Sequence, residues 1–214
     1  MARDTPLGFP AHTLPYRCGE FTTLSTASRV SFRLALNDSF RAFSFGGNGM
    51  NDVESMRLAL VLAERGRGWT APNPMVGAVI VKDGAVIGQG WHERYGEPHA
   101  ERNALAACTA DPAGATMYVT LEPCCHHGKQ PPCVDAILAS GIRRVVIGSA
   151  DPNPLVAGKG VAILRSHSVE VTENVLREEC DALNRIFFHY ITTGRPFVSM
   201  KYAMTMDGKI AAFT

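Results

Sequence analysis

The chain has 214 residues, 46% of them hydrophobic and 19% charged, and 21 Lys and Arg against 20 Asp and Glu leave a formal net charge of +1. That balance suits an ordinary globular domain able to bury a core, and it excludes the strong positive field that nucleic acid or an anionic membrane surface would need. No run of about eighteen apolar residues is present, so no membrane-spanning helix is expected.

Residues 1–49 carry five Arg, no Lys and many Ser and Thr, with no periodic apolar pattern. Asp4, Glu20 and Asp38 argue against a transit peptide. The segment is expected to be an N-terminal extension, either disordered or the product of a start placed upstream of Met50. From Met50 the pattern becomes orderly. Val53, Met56, Leu60 and Ala63 make a helical stripe within residues 53–66. Thr70 to Gly77 (TAPNPMVG) reads as a Pro-rich loop. Residues 76–81 and 85–91 flank Asp83-Gly84, a strong hairpin signal. Residues 101–108 are Ala/Leu-rich and helical, opening at His99, and 116–121 is a short strand that delivers the chain to Pro123. A helix over 132–140 has Pro in its first turn and Gly141 as its stop. A strand over 144–148, a helix over 160–166 and a strand over 169–172 follow, then one long closing helix over 173–193. Strands alternating with helices predict an α/β fold of three layers with a mixed central sheet.

The chemistry concentrates between Pro98 and Cys133. Here PHAE, residues 98–101, is followed by EPCCHHGKQPPC, residues 122–133. Cys124, Cys125 and Cys133 crowd into this one window, whereas Cys18, Cys108 and Cys180 are scattered. This favours a metal in a reducing, cytoplasmic setting over a disulfide framework. A catalytic zinc takes three protein ligands from imidazole and thiolate, leaving a position for water. His99, Cys124 and Cys133 are the candidate ligands, and Glu101 is the spare carboxylate that moves protons. A closed structural site would add Cys125, His126 or His127 as fourth ligand. Such sites use paired C-x₂₋₄-C spacing, which is lacking here, and they leave Glu101 without a purpose. Residues two apart share no face within a regular helix, so His99 and Glu101 reach one water only if His99 lies at the helix end. H-x-E followed by P-C-x-x-C is the pattern of zinc deaminases, but here the second Cys follows nine positions after the first.

With TAPNPMVGAVIVKDG, GEPHAE, YVTLEPCCHHGKQPPC and DPNPLVAGKG in place, residues 50–194 resemble the deaminase half of the bifunctional riboflavin-biosynthesis deaminase/reductase family. The resemblance implies a cytidine-deaminase-like α/β/α sandwich holding one Zn²⁺. It also implies hydrolytic deamination of a pyrimidine nucleotide, 2,5-diamino-6-ribosylamino-4(3H)-pyrimidinone 5′-phosphate. His99, Cys124 and Cys133 match the family's zinc ligands and Glu101 its proton shuttle, while Asn73, His92, His126 and Lys129 match its substrate contacts. Gln130 stands where the family usually has Thr. Residues 195–214 resemble the first strand of the reductase domain, where Ala203 would contact NADPH. NADPH binding would require a complete reductase domain, and no reductase activity is expected from this chain. The implied partner is a small nucleotide, with a homo-oligomer left open. The competing readings are a tRNA- or cytidine-type zinc deaminase and a zinc-binding remnant without activity.

Overall fold

A computed structural model describes residues 50–154, 156–206 and 208; the expectation for residues 1–49 lies outside them. Helix α1 (Asp52–Ala63) begins at Asn51, whose side chain accepts from Glu54 N at 2.9 Å while Glu54 accepts from Asn51 N at 3.0 Å. This reciprocal cap satisfies two amides that the first turn would otherwise leave open. A single 3₁₀ turn (Glu64–Gly66) follows. Strands β1 (Gly77–Lys82) and β2 (Ala85–Trp91) form the predicted hairpin. Asp83 and Gly84 both have positive φ, 51° and 76°, as a two-residue turn of this type requires. Then come α2 (Ala100–Ala106), β3 (Thr116–Leu121), α3 (Cys133–Ala139), β4 (Arg144–Ser149), α4 (Lys159–Ser166) and β5 (Glu170–Thr172). Helices α5 (Arg177–Leu183) and α6 (Arg185–Thr193) complete the order.

The strands form one mixed sheet in the order β2-β1-β3-β4-β5. Strand β1 runs antiparallel to β2 and β3, while β3, β4 and β5 are parallel and joined by helical crossovers. Period-two alternation divides the core. Ala78, Ile80, Met117, Val119, Val145 and Ile147 face one side, where they meet Ala100 and Ala104 of α2, Val134 and Ile137 of α3, and Leu164 of α4. Val79, Val81, Tyr118 and Val146 face the other, against Met56, Ala59 and Leu62 of α1 and Cys180 of α5. The result is the expected three-layer α/β/α sandwich.

Two expectations need correction. The buried stripe of α1 is Met56, Ala59, Leu62 and Ala63 with Leu58, whereas Val53 is 39% exposed; the apolar spacing alone admitted two phases, and β1 selects this one. The single closing helix is two helices, interrupted at Asn184. Asn184 is buried, donates from Nδ2 to Met75 O and accepts at Oδ1 from Met75 N, both at 2.8 Å. A side chain that serves another loop's backbone in this way replaces helix continuation. Residues 173–176 run as a connection, with Val175 N donating to Ile147 O at 3.2 Å. Further on, residues 197–205 form no strand, and Val198 and Met200 are exposed.

Two packing features fix the site's frame. Asp52, in the first turn of α1, receives a fork of bonds from Arg144 of β4 at 2.8 and 2.7 Å and one from Tyr118 Oη at 3.0 Å. The Arg144 guanidinium holds the Asp52 carboxyl below its ordinary value. A carboxylate lowered in this way stabilises the fold above the unfolded carboxylate pKa, and the contribution disappears as pH falls through the lower folded value. At neutral pH Asp52→Asn should therefore lose about 1 kcal/mol in urea unfolding, reduced by partial solvent screening. The difference from the parent should shrink below about pH 4. On the opposite side of the sheet, α2 presses onto β2 at Gly90, where an added Cβ would lie 2.3 Å from Ala104 N and 2.7 Å from Ala100 O. Gly90→Ala should cost at least about 1–3 kcal/mol by the same measurement, because both obstacles are backbone.

Candidate active site

Three segments converge at the carboxyl ends of the parallel strands. Strand β3 ends at Leu121 and runs through Glu122-Pro123 into Cys124, while α3 begins at Cys133 with Pro132 as its cap. Helix α2 begins directly after His99, which has the extended dihedrals φ −75° and ψ 166° of a cap residue. His99 thus stands outside the helical repeat, and Glu101 lies in the first turn behind it. This resolves how two residues at a spacing of two can serve one centre. Arg102 ties α2 to the proline pair, donating to Pro132 O at 3.0 Å and Pro131 O at 3.3 Å.

The ligand atoms of His99, Cys124 and Cys133 all lie within 4.8 Å of one another. Nδ1 of His99 is 3.5 Å from Cys124 Sγ and 3.3 Å from Cys133 Sγ. Tetrahedral zinc, with bonds of about 2.3 Å to sulfur and 2.0 Å to nitrogen, places its ligands roughly 3.6 Å apart, so one imidazole and two sulfurs at these separations fit the metal. The first amide of α3 points at the cluster, with Cys133 N donating to Cys124 Sγ at 3.4 Å. Hydrogen bonds from Cys133, followed by the His99 contact, drive the Cys124 thiol down to about 4, while the same pairing with Cys124 holds the Cys133 proton on. His99 is raised, chiefly by its bond to Cys124.

Glu101 is buried, and that burial, with the charge of Cys124 beside it, pushes its carboxyl up to about 7. A cavity of about 290 Å³ opens onto His99, Glu101 and Cys124 and is also lined by Asn73, His92, His126 and Lys129. Cys133 is fully buried and does not line it. Ala203 lies on the exposed segment after α6, outside this lining. His92 is buried with both ring nitrogens engaged: Nδ1 donates to Pro98 O at 3.2 Å, so Nε2 accepts from Asn73 Nδ2 at 3.4 Å. Burial pushes its pKa down, which keeps the ring in this neutral tautomer. Nδ1 of His126 is buried without a hydrogen-bond partner among the described residues.

Sequence reasoning passed over several lining residues. Asp151 and Asn153 belong to a motif whose pattern was noted but whose side chains were assigned nothing; they follow the carboxyl end of β4, where a parallel sheet places its ligands. Asp151 is pushed up to about 6 by burial. Glu122, also buried, accepts from Gly158 N at 3.0 Å and Val161 N at 3.3 Å, capping α4 from a distance. Tyr95 and Phe187 complete walls that no local pattern announces, and Gln130, noted in the sequence only as a departure from the family's Thr, joins them.

Residues 50–149 match the family described as the cytidine and deoxycytidylate deaminase zinc-binding region. The riboflavin biosynthesis protein RibD of Actinobacillus pleuropneumoniae is 62% identical over 162 residues, covering 76% of this chain and 43% of that protein. The chain thus carries a zinc-deaminase region similar to that of the riboflavin-biosynthesis proteins. Among solved structures of the family, the deaminase/reductase of Thermotoga maritima is 53% identical with a TM-score of 0.72, covering 75% of this chain and 46% of that one. RibD of Acinetobacter baumannii is 46% identical with a TM-score of 0.70, covering 73% and 44%. The chain spans less than half the length of these RibD-type relatives.

Elemental analysis should find one zinc per chain. Cys124→Ser and Cys133→Ser should each retain less than about a tenth of that after dialysis, since two remaining ligands hold zinc poorly.

Proposed function

We propose that this chain catalyses hydrolytic deamination of 2,5-diamino-6-ribosylamino-4(3H)-pyrimidinone 5′-phosphate, giving 5-amino-6-ribosylaminouracil 5′-phosphate and ammonia. The observation that carries the reading is a His/Cys/Cys donor cluster beside one buried carboxyl, opening onto a cavity of nucleotide-accepting size. His99, Cys124 and Cys133 would hold zinc, which when bound supplies the Lewis acidity that makes water a competent nucleophile near neutral pH.

The remaining steps belong to the chain. Glu101, with a pKa of about 7, can accept and return a proton at the operating pH. It takes one proton from the attacking water and delivers it to the ring nitrogen, then takes the second from the newly added hydroxyl and passes it to the amine, which leaves as ammonia. A C–O bond forms and the C–N bond breaks at the same ring carbon, so atoms balance with water as the only co-substrate. Asn73 offers both a donor and an acceptor to a pyrimidine edge, and His92 holds it from behind. His126 lines the cavity wall, and Lys129 supplies a point charge for phosphate. The substrate is a small molecule, in keeping with the near-neutral net charge. Among the described residues no helix is long and apolar enough to cross a membrane, and thiolate ligands for a metal suit a reducing, cytoplasmic setting.

Ammonia release from the synthetic diaminopyrimidine nucleotide tests the proposal directly. Glu101→Gln should keep zinc and fold while losing turnover by at least about 10³-fold, within the range of general acid–base catalysis. Undiminished turnover would remove Glu101 from the mechanism, and turnover of cytidine or tRNA instead of the diaminopyrimidine would replace the substrate assignment.

A further inference from the structure

Two loops face each other across the cavity's outer wall. One, residues 93–97, follows β2; the other, residues 125–132, connects the two cysteine ligands. Three contacts join them. Gln130 Nε2 donates to Gly96 O at 2.9 Å. The Lys129 ammonium lies 4.0 Å from the centroid of the Tyr95 ring. Gly96 adopts φ +89°, and a Cβ there would sit 3.6 Å from Lys129 Cδ, so the lysine stem runs alongside bare backbone. Tyr95 is fixed in turn through its own N–H, which donates to Trp69 O at 3.1 Å.

The choice of an aromatic partner is informative. Lys129 joins no ion pair among the described residues, and it is the one Lys or Arg among those lining the cavity, whose walls also carry Glu97, Glu101, Glu122 and Asp151. A carboxylate against the ammonium would confine it and also cancel its charge. A ring face confines it through the quadrupole, leaving the charge intact and its N–H donors free to turn toward an anion. The Gln130 bond holds the loop that carries that ring, at the position where the family usually has Thr.

We propose that Tyr95 and Gln130 are positioning residues that hold the Lys129 ammonium as a preorganised receptor for the substrate's phosphoryl group. They thereby set the preference for a phosphorylated over an unphosphorylated pyrimidine riboside. The inference rests on the nucleotide-deaminase reading of this cavity and names what enforces its specificity.

Steady-state ammonia release by the zinc-loaded protein, on the diaminopyrimidine nucleotide and on its dephosphorylated riboside, provides the test. Tyr95→Leu and Gln130→Ala should each raise KM for the nucleotide about three- to tenfold, with the loss in KM more than in kcat and little change in KM for the riboside. Tyr95→Phe keeps the ring face and should restore the parent's KM. Equal effects on both substrates, no effect on either, or a Tyr95→Phe variant as impaired as Tyr95→Leu would overturn the proposal. Binding of ribose 5-phosphate to the zinc-loaded protein, followed by NMR titration, separates this inference from the function it rests on. If the parent turns over neither pyrimidine, the deaminase reading fails. The clasp then stands only if Tyr95→Leu weakens ribose 5-phosphate about as much as Lys129→Ala does, and falls if affinity is unchanged.

Discussion

One nitrogen and two sulfurs within 4.8 Å of each other, drawn from three separate stretches of chain, set the terms for everything around them. Each needs a backbone that stops in the right place. For His99 that place is the residue before a helix, and for Cys133 the first residue of one. For Cys124 it is the third residue past the end of β3. Such positions are stable only while the helices and the sheet keep their mutual spacing. That makes the closeness of α2 to β2 at Gly90 part of the metal site's geometry rather than a detail of the core.

The second layer of control lies in how the loops between these elements are anchored. Glu122 is two residues from Cys124, yet its carboxylate spends itself on the amides that start α4. The loop bearing Cys124 and the loop bearing Asp151 are thereby made one piece. At the same junction, a Cβ on Gly160 would lie 2.3 Å from Pro123 O, so the start of α4 rests on the carbonyl just ahead of the cysteine. Buried polar groups used in this way give orientation more than stability, since an isolated carboxylate at such depth would be costly.

Much of this was legible from residue order. The strands and most helices announced themselves by alternation and by turn chemistry such as Asp83-Gly84, and the parallel βαβ arrangement followed from the alternation of types. The clustering of His99, Glu101, Cys124 and Cys133 was readable because metal donors are few and their spacing is restricted. What escaped was whatever depends on a partner distant in sequence. The break at Asn184 is invisible locally, because its cause is Met75, more than a hundred residues away. The phase of the α1 stripe depended on which face β1 would accept. Asp151 and Glu122 looked like ordinary loop acids, and only their burial distinguishes them. The bonds that hold the His92 ring, to Pro98 and Asn73, were likewise out of reach of the sequence.

Asn184 has a wider consequence. It clamps the junction of the last two helices to Met75, two residues beyond Asn73, and three residues further on Phe187 reaches the cavity wall. Helix α6 buries none of its own residues, so this short span carries the mechanical connection between the catalytic pocket and the chain that follows. Torque applied beyond Thr193 would be transmitted as leverage about a single amide side chain, arriving at the loop that carries Asn73.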